Sequence, residues 1–76
     1  MIKDLVTYVV QQLVSNPHDV TVTVTSSGNT NVIEIAVNEE DRGKVIGKEG
    51  YTIKAIRMLV NAVTPPDKKV TVDIAK

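Results

Sequence analysis

The chain contains no cysteine, no phenylalanine and no tryptophan among its 76 residues, and only two tyrosines. Without cysteine there is neither a disulfide nor a thiolate metal site. That usage fits a reducing compartment, so the expected location is cytoplasmic. Long apolar runs are missing as well. Nothing approaches the roughly 18 consecutive apolar residues of a membrane span, so no membrane association is expected. The opening Met-Ile-Lys-Asp-Leu interrupts its apolar residues with charge, unlike a signal peptide. Net charge is zero, which excludes a simple polycation that coats polyanions. The lone histidine, His18, follows Pro17 with no second ligand or nucleophile nearby, and is read as a surface residue. No Ser/His/Asp set, paired carboxylates or Cys/His arrangement is present. No catalytic residue, metal or cofactor is expected.

What the chain does contain is aliphatic. At 42% hydrophobic, nearly all Val, Ile, Leu and Ala, it reads as one globular domain over residues 1–76. A core of this size is marginal without staples, which keeps dimerisation open as a source of support.

Residues 2–15 carry Ile2, Leu5, Val6, Val9, Leu13 and Val14 at helical spacing. Tyr8 and Val10 widen this apolar stripe, so the helix can both cover a sheet and meet a partner. Asn16-Pro17 stops it. Residues 19–25 alternate Val20, Val22 and Val24 with threonine, a half-buried strand. Ser26-Ser27-Gly28-Asn29 turns the chain into a second strand over residues 31–37, with Ile33, Ile35 and Val37 on one face. Asn38 is placed to cap a short helix over residues 39–46, with Asp41 as the capping-box acid and Glu39 and Glu40 complementing the dipole. A longer helix is expected over residues 51–63, ended by Thr64-Pro65-Pro66-Asp67. A third strand, residues 69–75, sets Val70, Val72 and Ile74 against Thr71, Asp73 and Ala75. The order is αββααβ, an α+β fold.

Between the last two helices lies the segment richest in chemistry. Residues 45–57 read Val-Ile-Gly-Lys-Glu-Gly-Tyr-Thr-Ile-Lys-Ala-Ile-Arg. Gly47 and Gly50 bracket Lys48 and Glu49, and the turn feeds a helix. Such a turn offers free backbone N–H groups and the positive end of a helix dipole. Glycine lets another backbone approach closely. Lys48 adds a cation at the tip. The arrangement suits a phosphate backbone. Charge is concentrated here too. Residues 42–57 hold Arg42, Lys44, Lys48, Lys54 and Arg57 against Glu49 alone, a net +4 that the rest of the chain cancels. A neutral protein with one basic face predicts short-footprint binding of nucleic acid.

This stretch, V-I-G-K-x-G-x-T-I-x-A-I-R, resembles the core signature of KH domains, whose GxxG loop holds single-stranded RNA. Length and element order resemble the small bacterial KH-domain RNA-binding proteins of the KhpA type. The resemblance is sharpest over residues 42–60. It implies a single type II KH domain, αββααβ, with a three-stranded sheet packed on one face by three helices and the GxxG loop at 47–50. It also implies an RNA chaperone or post-transcriptional regulator linked to cell-envelope growth, and self-association or pairing with a larger KH-domain partner.

The candidate RNA-binding residues follow. Gly47, Lys48, Glu49 and Gly50 form the loop. Lys48 is the foremost phosphate contact, and Glu49 is expected to face solvent because an acid beside phosphate weakens binding. Val45, Ile46 and Ile53 straddle core and groove. Lys54 and Arg57, three apart, share a helix face that can line the backbone path, although either can be an ordinary surface residue and Arg57 can pair with an acid of the fold. Residues 64–69 occupy the variable-loop position, so Lys68 and Lys69 would flank the groove; they can equally guard an edge strand. Tyr51 departs from the pattern, since KhpA-type relatives often carry a basic residue there. A tyrosine at this helix start can stack on a base or pack the loop, and both readings stand open.

Two rival functions stand beside this one. A Walker A phosphate loop needs G-x-x-x-x-G-K-[ST]. Here Gly43 and Gly47 have three residues between them instead of four and Glu49 follows Lys48, so nucleotide hydrolysis is not expected. A protein–protein interaction module remains the alternative, carried by the apolar N-terminal helix. An RNA-recognition-motif fold is excluded by strands without stacking aromatics.

Overall fold

A computed structural model describes residues 2–75. Helix α1 spans Ile2–Leu13. Its centre line is Val6 and Val10, both fully buried, and Leu13 lies at the exposed margin. Val10 therefore belongs to the core and does not widen an outward-facing stripe. The helix ends two residues before the expected boundary because Ser15 and Asn16 give their backbone N–H groups to the Asp41 carboxylate, at 3.1 and 3.0 Å. A 3-10 turn over Pro17–Asp19 follows.

Strands β1 (Thr21–Ser27) and β2 (Thr30–Ala36) form an antiparallel hairpin with Ser27 opposite Thr30. The turn shrinks to Gly28-Asn29. Gly28 has φ +60 and Asn29 lies outside the positive-φ region, the pattern of a two-residue turn with glycine first, whose twist matches the strands. Val24 is expected to share a buried face with Val22, yet only Val22 is buried on β1. The hairpin tip extends beyond the helices, so the alternation is present but the cover is not.

A 3-10 turn, Glu39–Asp41, leads into the five-residue helix α2, Arg42–Ile46. The Asn38 side chain accepts from the Glu40 N–H at 3.1 Å, as a cap should. Asp41 does not complete a capping box; it turns inward to the end of α1. Helix α3 spans Tyr51–Val63, as its bracketing glycine and prolines predict. The last strand, β3 (Lys69–Ile74), runs parallel to β2, giving a mixed sheet in the order β1-β2-β3.

All three helices lie on one face of this sheet. The core joins Val6 and Val10 of α1, Val45 of α2, Ile53, Ile56 and Val60 of α3, and Val22, Ile33, Ile35 and Val72 of the strands. The expected α+β architecture is the observed one. It holds α3 against the outer strand β3 with the 47–50 loop at the start of that helix.

Candidate nucleic-acid interface

The loop is built by three positive-φ residues, Gly47, Glu49 and Gly50, around one ordinary residue, Lys48. Gly47 has φ 77 and ψ 170, a region open in practice only to glycine. Glu49 sits in the left-handed region at φ 56 and ψ 22, and Gly50 at φ 77 and ψ 12. A Cβ on Gly47 would fall on the Thr52 hydroxyl, whereas one on Gly50 would find its nearest neighbour, Lys54 Cε, 4.0 Å away. The Gly47 N–H closes α2 on the Gly43 carbonyl at 2.9 Å, and the Gly50 N–H reaches the Gly47 carbonyl at 3.1 Å. Tyr51 N–H donates to the Lys48 carbonyl. With those donors engaged inside the chain, the Lys48 and Glu49 N–H groups are the ones the loop tip presents. Both side chains are exposed.

From the loop a line of side chains runs along α3. Gly50, Lys54, Arg57 and Asn61 follow steps of four, three and four, so they share one helix face. Lys54, Arg57 and Asn61 are all exposed. Helix α3 is about 20 Å long at the standard rise. The line ends where Lys68 and Lys69, both exposed, enter β3.

The opposite wall is the free edge of β3. Lys69 and Ala75 N–H groups donate to Asn29 and Ile35 carbonyls on the β2 side. Strand backbone groups alternate, so Val70, Val72 and Ile74 turn theirs outward. Arg57 answers one of them: its Nε donates to the Val72 carbonyl at 3.0 Å, and its guanidinium lies 3.6 Å from Asp73. The expected alternative, that Arg57 pairs with an acid of the fold, is met by this contact. A groove of about 300 Å³ lies between Arg57, Asn61 and Val70–Asp73.

The apolar candidates divide. Val45 has no exposed surface, because the five-residue α2 points it straight into the core, so it cannot share in a groove wall as expected, whereas Ile46 is 38% exposed. Ile53 is 7% exposed and is a core residue. Tyr51 is 62% exposed, with Lys54 Nζ 5.6 Å from its ring centroid.

Asp41 is the residue beside the site whose place the sequence pattern misassigns. It is the one buried charged side chain among the described residues. Burial raises its pKa, but hydrogen bonds from Asn16 Nδ2 and from the Ser15 and Asn16 backbone, with Lys44 3.6 Å away, outweigh that and hold it below the ordinary carboxylate value. Lys44 also bonds the Ser15 hydroxyl. These contacts tie the start of α2, and hence the loop after it, to the end of α1. No sequence signal marks a partner 25 residues away.

Known proteins resemble the chain over nearly its whole length. The sequence profile of the family described as KhpA/KhpB, KH domain matches residues 3–74. Proteins named RNA-binding protein KhpA are similar over nearly the whole chain. The one from Leifsonia xyli is 43% identical over 97% of this chain and 96% of its own length. That from Thermotoga maritima is 36% identical over 97% and 99%. That from Chlamydia trachomatis is 42% identical over 95% and 94%. No solved structure matches.

Proposed function

The chain belongs to the KhpA/KhpB KH-domain family, and from that premise we propose that it binds single-stranded RNA through the Gly47–Gly50 loop and the groove between α3 and β3. One observation carries the reading. A glycine-shaped loop with exposed Lys48 continues into Lys54, Arg57 and Asn61 along α3, facing the free edge of β3. Phosphates meet the loop donors and cations, and bases meet the groove. The name borne by the relatives supports RNA as the ligand. Binding is the whole of the proposed activity. In a cell it would serve chaperoning of RNA or post-transcriptional control in the cytoplasm. The link to cell-envelope growth comes from the resemblance alone. The test is titration of single-stranded RNA against a duplex of the same sequence. Preference for the single strand is expected, and equal binding overturns the groove assignment.

A second reading is compatible with the first. Val9, Leu13, Thr52, Ala55, Ile56 and Leu59 line an apolar groove of about 220 Å³ between α1 and α3. Met58 and Val63 stand exposed beside it. A second copy of the chain, or a larger KH-domain partner, is proposed to cover this face, which lies apart from the Arg57 groove. Leu59→Lys should then yield a monomer by light scattering while leaving Lys48-dependent RNA binding in place.

A further inference from the structure

We propose that Tyr51 and Lys54 form a separate nucleotide subsite at the rim of the loop, in which the phenol ring stacks on one base of the bound single strand and Lys54 braces the ring. The inference rests on the RNA-binding reading above and extends it by one base.

Position is the first argument. Tyr51 is the first residue of α3 and directly follows Gly50, so its ring stands beside the loop that receives the phosphates. Helix geometry turns it away from the core line of Ile53, Ile56 and Val60. Exposure is the second. At 62%, most of an amphipathic ring meets water beside a basic surface, and no core residue needs it there. Tyr8 is as exposed, at 64%, but lies on α1, a different helix from the one that the loop feeds, and serves as the internal control.

The third argument is the Lys54 ammonium, 5.6 Å from the Tyr51 centroid. That is within reach of a cation–π contact, which fixes the ring at little entropic cost. The same cation belongs to the Gly50–Lys54–Arg57–Asn61 line, so a base stacked on Tyr51 would carry its phosphate towards Lys54. A π-face accepts any base, so the subsite adds affinity and footprint without sequence preference.

The experiment uses the full chain and single-stranded RNA oligomers, with abasic nucleotides placed at each position in turn. Tyr51→Phe should bind within about twofold of wild type. Tyr51→Ala should bind about 5- to 150-fold more weakly, the fold-change of a ~1–3 kcal/mol base–aromatic stack. One abasic position should weaken wild type by a similar factor and Tyr51→Ala hardly at all. Tyr8→Ala should match wild type. In a Tyr8→Phe background Tyr51 is the sole fluorophore of the chain, and RNA should quench it. Melting temperatures of all variants should agree.

Tyr51→Ala binding as tightly as wild type overturns the subsite while leaving the loop reading intact. Tyr51→Phe as damaging as alanine overturns it in favour of a hydroxyl contact. A loss explained by a lower melting temperature overturns it in favour of packing. Absence of RNA binding by wild type overturns the reading beneath it, and the subsite with it.

Discussion

Gly47 and Thr52 approach so closely that no side chain fits between them: a Cβ on Gly47 would lie 2.8 Å from the Thr52 backbone nitrogen and on top of its hydroxyl. Gly47 is also locked at φ 77, ψ 170. Gly47→Ala must therefore leave a glycine-only conformation and push away the first turn of α3. A strained backbone of this kind costs about 1–3 kcal/mol before the clash is counted. Gly50→Ala meets open space and loses only the left-handed penalty, about 1–2 kcal/mol. Urea unfolding should rank Gly47→Ala as the more damaging of the two, and Gly50→Asn should recover part of the Gly50→Ala loss.

Asp41 is expected to contribute to the acid sensitivity of the fold. Its folded-state pKa is held below the ordinary value by the Asn16, Ser15 and Lys44 contacts, against the opposing effect of burial. A depressed carboxylate contributes stability that is full above its unfolded value and is lost as pH falls through the folded one. Thermal stability should therefore decline as pH drops below about 4, the unfolded carboxylate range. Asp41→Asn should melt lower at neutral pH, because its amide turns donors towards donors, and should show a shallower acid slope. An unchanged slope would assign the acid sensitivity to other carboxylates.

Arg57 is held by Val72 and Asp73 with both charged partners largely exposed. Such a pair contributes little to stability, about 0–1 kcal/mol. On the proposed RNA-binding reading, Asp73 competes with phosphate for the guanidinium. Arg57→Gln should leave the melting temperature nearly unchanged, weaken RNA binding, and reduce the slope of log K against log salt by about 0.7 for one lost single-strand phosphate contact. Asp73→Asn should tighten binding by releasing Arg57 from its acid. Weaker binding by Asp73→Asn would show that the pair positions Arg57 and does not compete for it.

Element order and α3 were legible in the sequence because their signals are local. Gly50 and the Pro65-Pro66 pair bracket α3, and Ile53, Ile56 and Val60 mark its inner face. What escaped depends on distant partners. Asp41 lies three residues after Asn38 and imitates a capping box, while its donors sit at Ser15 and Asn16. Val24 alternates correctly but protrudes with the hairpin tip, a fact of coverage and not of period. Val45 and Ile46 are equivalent in a pattern of apolar pairs, and only the orientation of α2 buries the first and exposes the second. Arg57 finds Val72 and Asp73 across the α3–β3 junction, which no spacing announces.

The basic line also predicts a salt signature for the whole protein. If roughly two to four phosphates are neutralised by the loop and α3, log K against log salt should slope about −1.5 to −3 for single strands. A slope near zero would place the RNA away from Lys48, Lys54 and Arg57.

The most direct measurement replaces Lys48 and Glu49 together by aspartate and titrates single-stranded RNA. Both side chains are exposed, and aspartate tolerates the left-handed φ of 56 at the second position, so the fold should melt as wild type does. The loop tip then faces phosphate with two like charges. Binding is predicted to fall below detection with the melting temperature unchanged. A folded double variant that binds RNA with wild-type affinity would contradict the assignment of the Gly47–Gly50 loop as the RNA-holding element.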